Sequence, residues 1–107
     1  MPLTRAFKET VMARVKSDRQ FRHSLLREGV ECLLSGDLDA GKLVLRDFIK
    51  ATVGFSALSK AVKIPEKSLI RMFGPSGNPQ AKKLFRVVAF LQRGEGIRFE
   101  VKPRKAA

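Results

Sequence analysis

Residues 55–73 read FSALSKAVKIPEKSLIRMF, and the spacing of their apolar positions predicts two short helices meeting at a fixed angle. Leu58, Val62, Ile64, Leu69 and Met72 recur at the intervals that bury one side of each helix, and Ser59 is small where the second helix must cross the first. Between Val62 and Ile64 the chain needs one residue in the left-handed region. Glycine is usual there, and this chain places Lys63 in it at the cost of a modest strain. Pro65 suits the first turn of the second helix, because its φ is preset and the N–H it lacks would have no helical partner. The pattern is that of a helix-turn-helix, with the second helix running from about Glu66 to Phe73.

In that arrangement Glu66, Lys67, Ile70 and Arg71 point away from the buried Leu69, Met72 and Phe73. A helix presented this way enters the major groove of duplex DNA with its N-terminal residues at the base edges, where arginine and lysine suit guanine and glutamate suits cytosine. Lys60, Lys82 and Lys83 are placed to hold phosphates, and Ser56 and Asn78 to do so through helix N-termini. Two-helix corners of the same spacing also occur in ordinary helical domains, so charge has to separate the readings.

The 107 residues carry a formal net charge of +12, a balance that points to a polyanionic partner, with solvated surface lysines as the plain alternative. The charge is uneven. Residues 48–86 hold eight bases against one acid, whereas residues 28–47 hold two bases against five acids. The acidic block, with Glu28, Glu31, Asp37, Asp39 and Asp47, is expected to face away from DNA, either as an ordinary solvated face or as a surface for a basic protein. The length suits one domain. No apolar run approaches membrane length and the N-terminus lacks the apolar stretch of a signal peptide, so a cytoplasmic protein without a membrane partner is expected.

Catalysis has little to work with. There is no plausible carboxylate pair, no nucleophile beside a base and no metal-ligand set, so no catalytic residue, metal or cofactor is expected. Glu28 and Glu31 read as a solvated pair, Cys32 as a small buried residue and His23 as a helix-surface residue. The eight phenylalanines fall at helical spacings, which favours core positions over base-stacking platforms.

Gly36, Gly54, Gly74 and Gly94 each follow a helical stretch and mark helix ends. The first helix is expected from Pro2–Thr4 to Lys16, with Leu3, Phe7, Val11 and Val15 on one face. Ser17 and Gln20 form a capping box for the second, which carries Gly29 in its interior, and close contact with a neighbouring helix would account for that glycine. Asp37 caps a third helix through Val53, and Ser56 caps the first motif helix. Asn78 as N-cap and Pro79 as first residue open the last helix, with Leu84, Val87, Val88 and Leu91 inward and an end at Gln92 or Arg93. Ile97, Phe99 and Val101 then alternate with Arg98 and Glu100, which predicts a strand. A strand without an internal mate invites a second copy, giving a homodimer joined through Ile97, Phe99 and Val101 on a palindromic operator with half-sites roughly 34 Å apart. The competing reading folds the strand back on its own N-terminal segment.

From Asp37 onward, ALSKAVKIPEKSLIRMF followed by GNPQAKKLFRVVAFLQ resembles the small helix-turn-helix proteins known as addiction-module antidotes, related to HigA-type antitoxins in the lambda-repressor-like fold class. The likeness covers about two thirds of the chain. Its most specific part is Ser68, Leu69 and Arg71 followed by Gly77, Asn78 and Pro79. Lys63 stands where the family favours glycine, Pro65 where it favours serine, and residues 1–35 lie outside the match. The resemblance implies repression of the protein's own operon and, in many members, neutralisation of a RelE/ParE-like toxin; a free-standing regulator and an RNA-binding or structural basic protein are the alternatives. The expected fold is mainly α: a helix-turn-helix bundle over residues 36–102, an N-terminal helical extension (1–35) packed on it, a short C-terminal β-strand and a basic tail (103–107).

Overall fold

The computed structural model describes residues 5–106, among which α1 (Arg5–Ser17), α2 (Arg19–Leu34), α3 (Leu38–Ala51), α4 (Phe55–Val62), α5 (Glu66–Met72) and α6 (Ala81–Gly94) follow one another with no strand. The start expected for the first helix near Pro2–Thr4 lies outside the described residues, as do Leu3 and the side chain of Phe7. The class is all-α.

Acidic side chains set two of the helix starts. Asp18 accepts the Phe21 N–H at 3.1 Å and Asp37 accepts the Ala40 N–H at 3.1 Å, each satisfying a donor that the first turn leaves without an intrahelical partner. Asp37 is the cap the sequence predicts. Asp18 is not: the spacing points to a capping box at Ser17, whose hydroxyl instead donates back to the Ala13 carbonyl at 3.1 Å and closes α1. A carboxylate is also the better partner for the positive end of a helix. Ser56 and Asn78 are not caps either. Gly54 holds the N-cap position of α4 and Gln80 that of α6, neither with a side-chain bond to its helix, so Ser56 lies inside the first turn and Asn78 and Pro79 belong to the connection before α6.

Two helix ends share one device. After α2 the N–H groups of Gly36 and Asp37 return to Leu33 and Cys32, and after α6 those of Gly96 and Ile97 return to Arg93 and Gln92, with both glycines at positive φ. This is the Schellman pattern. The glycine that ends α6 is therefore Gly96, and Gly94 is the last helical residue. α3 stops at Ala51, two residues before the expected Val53, where the Thr52 hydroxyl donates to the Phe48 carbonyl at 2.7 Å.

The α2–α3 pair packs through glycine. A Cβ on Gly29 would stand 2.8 Å from Leu45 Cδ2, and one on Gly41 would stand 2.7 Å from Leu33 Cδ2 and 3.3 Å from the Gly29 carbonyl oxygen. Each glycine admits the other helix, which explains the interior Gly29. Leu26 from α2 joins Leu45, Phe48 and Ile49 of α3, Leu58 and Val62 of α4, Leu69 and Met72 of α5, and the inward stripe Leu84, Val87, Val88 and Leu91 of α6 in one apolar cluster. Phe55 and Phe73 close it beside the two-helix segment, their ring centres 6.3 Å apart.

The N-terminal helices are tied to the far end of the chain by Glu95. Its carboxylate accepts Arg22 Nε–H at 2.6 Å and meets His23 Nε2 at 3.1 Å, while Arg22 Nη1 also donates to the Val15 and Lys16 carbonyls. A carboxylate only accepts, so Nε2 of His23 carries the proton. His23 is thus half-buried in an ionic cluster rather than lying free on a helix surface.

Residues 97–101 form no strand within the chain. Ile97 and Phe99 pack against the common core, and the Phe99 N–H donates to Gln92 Oε1 at 2.8 Å. The alternation that reads as a strand is real in side-chain burial, but a glutamine of α6 takes the hydrogen bond that a neighbouring strand would otherwise supply. Val101, 80% exposed, is left uncovered.

Candidate nucleic-acid interface

The connection between α4 and α5 is built as the sequence predicts. Lys63 adopts φ 57°, ψ 45°, in the left-handed region, and its N–H and that of Ile64 both return to the Ser59 carbonyl. The Ser59 hydroxyl donates to the Ile64 carbonyl at 2.5 Å, so this small side chain both leaves room at the crossing and fixes the chain leaving it. Arg86 of α6 donates to the Val62 carbonyl at 3.2 Å and holds the end of α4 from the other side. Pro65 is the N-cap of α5.

On α5 the inward and outward faces separate cleanly. Leu69 and Met72 are buried, and Phe73 follows them into the core. Glu66, Lys67, Ile70 and Arg71 are all exposed, Ile70 by 50%. Leu34, Leu43, Phe85 and Val101 are exposed to a similar or greater extent, so Ile70 marks this face only through the cations on either side of it. Among the described residues, Lys60, Lys63, Lys67, Arg71, Lys82 and Lys83 take part in no ion pair, so their charge is not spent inside the chain. In the acidic block the opposite holds for Glu31, which pairs with Arg27, and for Asp39, which lies 3.7 Å from Lys42 Nζ.

A shallow groove of about 280 Å³ runs beside Arg71, lined by Ser68, Met72, Ser76, Gly77, Asn78, Pro79, Gln80 and Lys83. It brings one expected base-reading residue together with two expected phosphate ligands, Asn78 and Lys83. Ser56, Lys60 and Lys82 are exposed but do not line it.

The floor of this groove depends on Gly77, which the sequence marks only through the family resemblance, and on Lys42, to which it assigns no role. A Cβ on Gly77 would lie 2.0 Å from the Arg71 carbonyl oxygen and 2.8 Å from that of Met72, so only glycine lets the turn close against the end of α5. Lys42 is the one buried charged residue among those described, 3% exposed, and its ammonium donates to the carbonyls of Gly74 at 3.0 Å and Gly77 at 2.7 Å. Its signal was present in the sequence: Lys42 stands three residues before Leu45 and seven before Ile49, on the apolar stripe of α3, where a charge needs a buried partner.

Comparison with protein-family models, with characterised proteins and with solved structures finds no match to this chain.

Proposed function

We propose that this chain is a sequence-specific, duplex-DNA-binding transcriptional regulator of the helix-turn-helix class, with α5 as the helix that enters the major groove. The observation that carries this reading is the outward face of α5: Lys67, Ile70 and Arg71 exposed without an internal ion pair, flanked by a groove that holds Asn78 and Lys83. Arg71 and Lys67 read guanine edges, Glu66 suits cytosine, and Ile70 provides apolar contact of the kind a thymine methyl accepts. Lys83 and Asn78 contact the phosphates on one side, and Lys60, Lys82 and Ser56 extend the contact to neighbouring phosphates.

The succession of α3 to α6 supports a lambda-repressor-like arrangement, and the sequence resemblance adds autorepression of an operon as a homodimer on a palindromic operator, with neutralisation of a RelE/ParE-like toxin. Co-expression with the product of the adjacent gene separates an antitoxin from a free-standing regulator: complex formation and rescue of growth support the first, and neither effect leaves the second.

Selection of duplexes from a random pool tests the central claim. Arg71→Ala is expected to cost about 1–3 kcal/mol on the selected duplex and to relax its sequence preference, whereas Lys83→Ala weakens selected and scrambled DNA alike and reduces the salt slope by about one. Equal losses on both DNAs for both variants, or tighter binding to RNA than to duplex DNA, would remove α5 as a base reader.

A further inference from the structure

We infer that Lys42, remote from the exposed face of α5, is a positioning residue for it: its buried ammonium clamps the 74–77 turn and thereby sets how Arg71 is presented. This inference rests on the reading of α5 as the base-contacting helix.

The physical chain is short. α5 has seven residues and no side-chain cap at its N-terminus, so it lacks the length and the local bonds to fix its own orientation. Its start is held through the left-handed turn at Lys63. Its end is held by the turn that follows: Gly74 donates to the Arg71 carbonyl at 3.1 Å, Gly77 donates to the Gly74 carbonyl at 3.1 Å, and Gly77 is pressed onto the last carbonyls of the helix. The carbonyls of Gly74 and Gly77 both accept from Lys42 Nζ, which comes from α3 in the middle of the core. An ammonium has three donors and no acceptor, so two carbonyls converging on it, with Asp39 at 3.7 Å, make a tight fit for lysine and for no apolar residue. Without the ammonium, the same two part-buried carbonyls would lose their donor, and the turn would open to find water. Opening it moves Gly77 off α5 and widens the groove that Arg71 shares with Asn78 and Lys83.

Lys42→Met keeps the length of the side chain and removes its donors. In the free protein, the amides of Gly74 and Gly77 should exchange with solvent roughly tenfold or more faster, while those of Leu45 and Leu84 stay within a factor of about two. With a duplex selected by the wild-type protein, the ratio of affinities for selected over scrambled DNA should fall roughly tenfold while the salt slope is unchanged, because a residue 3% exposed touches no phosphate. Val88→Ala, which truncates the core away from the turn, serves as the control for lost stability alone, and both variants are measured at temperatures where each is fully folded. Unchanged exchange at Gly74 and Gly77, a discrimination ratio equal to that of Val88→Ala, or a salt slope reduced by about one would each overturn the proposal. A wild-type protein that enriches no sequence from the pool would instead overturn the base-reading role of α5, which is a separate failure.

Discussion

Lys63 holds φ 57°, a conformation that costs a residue with a β-carbon about 1–2 kcal/mol, against about 0.5–1 kcal/mol of extra chain entropy that glycine would lose on folding. Lys63→Gly is therefore expected to stabilise the protein by about 0.5–1 kcal/mol in urea denaturation, and Lys63→Val to destabilise it. Two other single atoms can be weighed against each other. A methyl on Gly29 meets the end of a leucine side chain, which can swing aside, and gains about 1 kcal/mol of helix propensity. A methyl on Gly77 meets backbone carbonyls that cannot move without unwinding α5. Gly77→Ala should accordingly cost about 3 kcal/mol and Gly29→Ala no more than about 1–2 kcal/mol, compared by denaturant midpoint at constant slope. Similar losses at the two sites would mean that the 74–77 turn is not held where it is.

Helix boundaries show how far local signals reach. Asp37 was legible as a cap because a polar residue stood alone between Gly36 and an apolar stripe, and the inward faces of α3, α5 and α6 followed from spacing alone. At Ser17 and Asp18 two capping residues are adjacent, and spacing could not rank them. The choice was settled by Phe21, whose amide Asp18 reaches and whose ring lies under Arg14, with Arg14 Cζ 4.5 Å from the ring centre. The fit of Lys42 to the 74–77 turn was illegible for a different reason: its carbonyl partners are 32 and 35 positions away in sequence and no window along the chain contains both ends, although a charge on the apolar stripe of α3 signalled that some buried partner was needed. The start of α2 also carries a pH dependence. The hydrogen bond from the Phe21 N–H, assisted by Arg14, holds the Asp18 carboxyl below its ordinary 3.8 despite partial desolvation. A carboxyl depressed on folding contributes stability that is present above 3.8 and lost as the pH falls through the lowered value. Asp18→Asn, which keeps the acceptor and drops the charge, should lack that contribution above pH 3.8 and so show a shallower loss of stability as the pH falls below it; an unchanged acid limb would remove Asp18 from it.

At the scale of the molecule, the surface divides by how its charge is used. Among the described residues the bases of α4 and α5 take part in no ion pair, whereas part of the acidic charge near α2 and α3 is compensated locally. The C-terminal segment refines the test of self-association. Phe99 belongs to the core of its own chain, so Phe99→Asp should lower stability by about 2 kcal/mol whether or not a dimer forms. Val101 is 80% exposed, and Val101→Asp should leave the unfolding midpoint within about 0.5 kcal/mol of the original. Sedimentation of Val101→Asp then reports on the interface alone: a monomer from a dimeric parent places this segment at the twofold axis, and an unchanged dimer places the axis elsewhere. Fold class and the two-helix segment could be read from periodicity, but the fate of residues 97–101 could not, because it turned on a single glutamine side chain in α6.

The bond between Arg22 and Glu95 spans 73 residues, and that span makes it a kinetic feature as well as a structural one. Neighbouring helices in this chain meet over short loops, whereas bringing residue 22 to residue 95 closes a loop of about two thirds of the chain. The pair therefore couples the opening of α2 to the end of α6, two segments that no short loop joins.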